Sequence, residues 1–119
     1  MEGNAFILDL ILDIVEEVTT VKMREIRTSG GGAKSELVNQ IVADTTQKIV
    51  KVVEESEPVI GSSIIALWAM NKKRDVSEIA DRIVKIKKIF YPNENNKTVY
   101  ERNKELLLKV MKKLSLVFK

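Results

Sequence analysis

The sequence predicts an α/β fold built around a short parallel sheet. Three observations carry it. Two short strand-like stretches stand at residues 23–28 and 48–55, amphipathic helical stretches lie between and around them, and three glycines sit where the first stretch gives way to a helix. Strands joined by a single helix imply a parallel pair, because the chain must cross back over the sheet to re-enter it in the same direction.

The elements follow in order. Residues 4–18 place Ile7, Leu8, Ile11, Ile14, Val15 and Val18 at helical spacing, with Phe6, Leu10 and Leu12 adding apolar surface on other faces. That helix is therefore expected to have more than one neighbour. "MREIRT" (23–28) reads as a strand running into Gly30-Gly31-Gly32. From Lys34 to Asp44, Leu37, Val38, Ile41 and Val42 form one helical face, with Glu36, Asn39, Gln40 and Asp44 opposite it or at its margins. "KIVKVVEE" (48–55), rich in β-branched residues, is the second strand. Pro58 stands where a helix can begin, and Val59 to Met70 is apolar or small nearly throughout, as in a buried helix. Asp75 and Glu78 have capping-box spacing ahead of Val76, Ile79, Ala80, Ile83 and Ile86, a further amphipathic helix. "YPNENN" (91–96) is a loop, and Thr98 to Phe118 a last, basic helix. The predicted order is α-β-α-β-α-α-α. Two parallel strands cannot cover themselves, since parallel sheets lie between helical layers of larger sheets. The pattern is that of the end of a bigger α/β domain.

Composition sets outer limits. The 119 residues read as a single domain, 1–119, and 45% hydrophobic content with 5% aromatics calls for an aliphatic core. Twenty basic and 17 acidic side chains nearly cancel to +3, and the interleaving of Asp81, Glu101 and Glu105 with the lysines argues against a nucleic-acid face. Without cysteine or histidine there is no disulfide framework and no zinc site of the usual kind. The first apolar stretch is broken by Asp9, Asp13, Glu16 and Glu17, short of the roughly 20 apolar residues of a membrane span. A cytoplasmic protein with no membrane or nucleic-acid partner is the expectation.

The glycines at 30–32 are the chemical focus. A Walker A loop needs Gly-x-x-x-x-Gly-Lys-Ser/Thr, and here Lys34-Ser35 follows Ala33, with Thr28 in the first glycine's place. The dinucleotide pattern Gly-x-Gly-x-x-Gly fails because position 35 is serine. The strand–glycine–helix context still admits a nucleotide or phosphate contact, since glycines allow close backbone approach and a helix start offers unpaired N–H groups. A flexible β–α turn is the other reading.

The residues around the glycines carry a resemblance. "SGGGAKSELVNQIVAD" resembles the adenosine-contact segment of the FGGY carbohydrate kinases, and the likeness continues through "KIVKVVEES", Gly61-Ser62-Ser63 and "FYPNENNKTVYERNKELLLKV". It implies part of an actin/hexokinase-like (ribonuclease H-like) ATPase domain. It further implies a C-terminal fragment of an enzyme that phosphorylates a sugar or sugar acid with ATP and Mg²⁺, the metal held mainly by the rest of the enzyme. The sugar site, an Asp-x-Gly phosphate loop and the general-base aspartate belong to an earlier segment of such kinases, and no such segment precedes Gly30. The resemblance implies that Gly30, Gly31, Gly32, Ala33, Lys34 and Ser35 line the nucleotide site, bind ATP or ADP, and include no catalytic residue or metal ligand. The family's usual glycine at the end of the following helix is expected to correspond to Thr46.

Other features have plainer readings. Lys72-Lys73-Arg74 is a solvent-facing cluster at a helix end, Trp68 a core residue, and Asp44 a structural carboxylate at a helix end. The alternative to a kinase fragment is a small non-catalytic domain that self-associates. Either reading leaves open sheet edges and implies a homo-oligomer.

Overall fold

The computed structural model describes residues 1–54, 58–70 and 75–117. Helix α1 (Glu2–Thr19) leads to strand β1 (Glu25–Thr28), a 3₁₀ turn (Gly32–Lys34), helix α2 (Glu36–Thr46) and strand β2 (Ile49–Val53). Helices α3 (Pro58–Met70) and α4 (Val76–Ile83), strand β3 (Ile86–Phe90) and helix α5 (Glu94–Val117) follow. β1 and β2 pair in parallel, as expected, with Ile26 opposite Val50 and Thr28 opposite Val52.

The sheet is nevertheless mixed and three-stranded, in the order β1-β2-β3, rather than a parallel pair. β3 runs antiparallel to β2, placing Val50 opposite Phe90 and Val52 opposite Lys88, with an irregularity between Val52 and Val53. The helix expected to reach Ile86 stops at Ile83, and the chain turns into the sheet because β2 offers a free row of backbone donors and acceptors. α5 also begins at Glu94, four residues before Thr98.

Ile26, Val50 and Phe90 stand side by side across the three strands and face α2. Val50 and Phe90 make the core with Ala5, Val42, Ala43 and Val52, and Ile26, Leu8, Ala33 and Ile41 pack at its margin. α1 and α5 lie against α2, and the Phe6 and Tyr100 rings meet between them at 6.1 Å. The buried side of α1 is Ala5, Phe6 and Asp9; the stripe of Ile7, Ile11, Ile14, Val15 and Val18 instead faces outward. Buried Asp9 is matched by Lys104 of α5, which also bonds Asp13 at 2.8 Å. Burial pulls the Lys104 ammonium down, but its bonds to Asp13 and Asp9 outweigh this and hold it above its ordinary range.

Lys48, just before β2, ties the end of α1 to the segment before β1, bonding Glu16 at 2.6 Å and the Met23 carbonyl at 2.9 Å. With Lys48, Lys22 and the Met23 N–H all donating to it, the Glu16 carboxyl is lowered to about 2.

Three further expectations change. α3 is not buried: Val59, Ile65, Leu67 and Met70 are exposed, and Trp68 is 43% exposed rather than a core residue. The left-handed residue that ends α2 is Gln47, at φ 52°, and not Thr46. Thr46 is the last helical residue, buried, its hydroxyl donating to the Val42 carbonyl at 2.8 Å. Asn39 and Asp44, placed on the margin of α2 by its periodicity, are both buried. The Lys72-Lys73-Arg74 cluster lies outside the described residues.

Candidate functional site

The glycine turn sits at the carboxyl end of β1, where open α/β sheets collect ligands because parallel strands deliver their following loops to the same edge. Gly30 takes φ 81°, a left-handed conformation that lets the chain leave β1 sharply. Gly31 then leads into the 3₁₀ turn Gly32–Lys34, closed by Lys34 N–H to the Gly31 carbonyl and Ser35 N–H to the Gly32 carbonyl, each 3.2 Å. Ser35 then caps α2, its hydroxyl accepting from the Val38 N–H at 3.4 Å.

One residue holds these parts in register. The Asn39 amide donates to the Ala33 and Ser35 carbonyls, both at 2.8 Å, and its oxygen accepts from the Thr28 hydroxyl at 3.0 Å. Buried to 2% exposure, it ties the end of β1, the glycine turn and the first turn of α2 together. Helical periodicity could not single it out. Its signal was an amide four residues after the capping serine, within reach of the carbonyls that a helix start leaves open.

The turn opens onto a cavity of about 360 Å³ between the glycine turn and the ends of β2 and β3. Its wall includes Gly30, Gly31, Ala33 and Lys34, while Val52 and Phe90 supply an apolar floor. Gly32 and Ser35 build the turn beside the cavity and do not line it. Glu36 and Lys88 form an ion pair, and both line the cavity. The Lys88 ammonium lies over the Phe90 ring, 5.3 Å from its centroid. An apolar floor, backbone at close approach on one side and charged groups around the opening suit a flat heterocycle with polar substituents.

Asp44 is not part of this wall. Its carboxylate accepts from the Gln40 amide, the Asn93 N–H and the Asn96 amide, each at 2.8 Å, and so moors the start of α5 and the loop before it to α2. A structural carboxylate was the expectation, and its partners explain its burial. Among the described residues no group of three or more acidic side chains converges to hold a metal ion, and no helix is long and apolar enough to cross a membrane.

Residues 1–70, from α1 through the glycine turn to the end of α3, match the model of the FGGY family of carbohydrate kinases, C-terminal domain. The chain belongs to that family. Autoinducer-2 kinase of Yersinia pestis is 31% identical over 106 residues, covering 87% of this chain and 20% of that protein. The chain spans about a fifth of the length of the curated relatives it matches. Xylulose kinase from Rhodospirillum rubrum superposes with a TM-score of 0.84 at 18% identity, covering 98% of this chain and 24% of the other. Glycerol kinase from Plasmodium falciparum with ADP gives 0.75 at 19% identity, covering 93% and 22%. At such identities the superpositions speak to fold, and they put this FGGY chain within the actin-like ATPase fold.

Proposed function

We propose that this chain forms the nucleotide-facing, C-terminal part of a carbohydrate kinase, holding the adenosine end of ATP while the phosphates and sugar are handled elsewhere in the enzyme. The observation that carries the reading is the cavity at the glycine turn: its volume of about 360 Å³, apolar floor and glycine wall suit a nucleoside. In this reading Gly30, Gly31, Ala33 and Lys34 lie against base and ribose. Gly32 and Ser35 shape the turn, and Asn39 positions it. In the complete enzyme a base takes a proton from a sugar hydroxyl, which attacks the γ-phosphate in line. Mg²⁺ and that base are assigned to the remainder of the enzyme, so the chain alone transfers no phosphate.

The outward apolar stripes of α1 and α3 fit the same reading as faces that the rest of the kinase covers. By itself the chain then associates with its own copies through these faces.

The experiment is an ADP titration of the chain and of Gly31→Val. Gly31 is right-handed at φ −60°, and an added Cβ meets nothing within 4 Å, so the variant keeps the fold. Gly31 lines the cavity, where a valine side chain would take up room the ligand uses. Loss of ADP binding with unchanged melting supports the assignment; undiminished binding refutes it.

A further inference from the structure

We propose that the free edge of β1 is a self-recognition surface, on which two copies of this chain pair antiparallel about Ile26 so that Glu25 of each copy meets Arg27 of the other. This surface is separate from the glycine-turn cavity and from the outward stripes of α1 and α3.

The register of the sheet decides which backbone groups are available. The Ile49 N–H donates to the Arg24 carbonyl, and Glu25 stands beside Ile49 in the parallel ladder. Such a ladder uses alternate residues of a strand, so Arg24, Ile26 and Thr28 turn their backbone groups toward β2. Glu25 and Arg27 turn theirs the other way, where no described strand lies. Their side chains share the face of the sheet away from α2, because Ile26 packs against the core and Thr28 bonds Asn39 on the α2 side.

Two identical strands related by a two-fold axis run antiparallel, and opposed residues alternate between pairs that exchange both backbone bonds and pairs that exchange none. The register then depends on which residue sits on the axis. With Glu25 there, Glu25 opposes Glu25; with Arg27 there, Arg27 opposes Arg27. With Ile26 on the axis, Glu25 opposes Arg27 on both sides, each pair carries backbone bonds in both directions, and Ile26 meets Ile26 on the α2 side. Opposite charges across strands stabilise a pair and like charges destabilise it, so the Ile26 register is the favoured one. The other edge has no such solution. β3 carries Lys87 and Lys88 and no acidic residue, a composition that discourages edge pairing.

The two charges can be exchanged without losing the fold. The Glu25 and Arg27 side chains are 36% and 46% exposed, and their ion pairs, with each other, with Lys51 and with Asp81, are of the weak surface kind. The test is sedimentation and native mass spectrometry of the 119-residue chain, of Glu25→Lys and of Arg27→Glu, with thermal melts of each. The unaltered chain should form a dimer. Either variant sets like charges against each other on both sides of the axis and should dimerise about tenfold more weakly or worse. Mixing the two variants should restore pairing as a heterodimer, because the basic edge of one then faces the acidic edge of the other. That rescue keeps the test decisive if a variant melts lower, since a folding defect in one chain is not mended by a defect in the other. A monomeric unaltered chain overturns the proposal and leaves the edge to a strand of another protein segment. Dimers indifferent to both charge changes also overturn it and put association on the stripes of α1 and α3, and so do variants that weaken pairing without rescuing each other.

Discussion

The turn that closes α2 offers a quantitative test of the backbone assignment. Gln47 holds φ 52° and ψ 33°, a left-handed conformation that costs an L-residue roughly 1–2 kcal/mol and glycine almost nothing. Its side chain offsets part of that cost by donating to the Asp44 carbonyl at 2.6 Å, a bond contributing about 0.5–1.5 kcal/mol. Gln47→Ala loses the bond and keeps the backbone cost. Gln47→Gly loses the bond and relieves the cost, against the larger unfolded-state entropy of glycine, roughly 0.5–1 kcal/mol. Comparing the two variants cancels the bond, and the glycine variant should be more stable by about 0.5–1 kcal/mol, or about 2–5 °C in melting temperature. Thr46→Gly should go the other way, losing about 1–2 kcal/mol, because Thr46 is helical, buried and bonded to Val42. Thermal melts followed by circular dichroism read all three. Equal stability of the alanine and glycine variants at 47, or a stabilised Thr46→Gly, would refute the placement of the cap.

Two other outcomes follow from the fold. The Glu16 carboxyl is depressed from 4.5 to about 2, so its contribution to stability is complete above pH 4.5 and is lost as the pH falls toward 2; Glu16→Gln should flatten that limb in denaturant titrations, and an unchanged limb would count against the Lys48 and Lys22 bridge. Light scattering at micromolar concentration should find a dimer or larger species of the isolated chain, and a stable 13.5 kDa monomer would mean that its apolar stripes are tolerated in water.

Much of the fold was legible in the sequence because its parts obey local rules. β1, the glycine turn, α2 and β2 follow from a strand-like stretch, a conformationally free triplet, an amphipathic helical face and a β-branched run. β3 was not legible, because Ile79, Ile83, Ile86 and Phe90 continue a helical spacing and no glycine or proline stands between Ile83 and Ile86. Pairing with β2 overrides that local pattern. α3 was misjudged for a different reason: an all-round apolar helix announces that it will be covered, without saying by what. At the site, the sequence pointed to Gly30 through Ser35, and four of those six line the cavity. Asn39, Glu36 and Lys88 were not singled out as site residues, because their roles come from β3 and α2 meeting in space.

Amide chemical-shift titration of the chain with ATP, ADP and AMP decides whether the glycine turn receives the adenosine end of a nucleotide. Shifts should centre on Gly30, Gly31, Ala33, Lys34 and Phe90, with dissociation constants for the three nucleotides agreeing within about threefold, because the proposed contacts of this chain are to base and ribose. Shifts centred elsewhere, or a strong preference for ATP over AMP, would contradict the adenosine assignment.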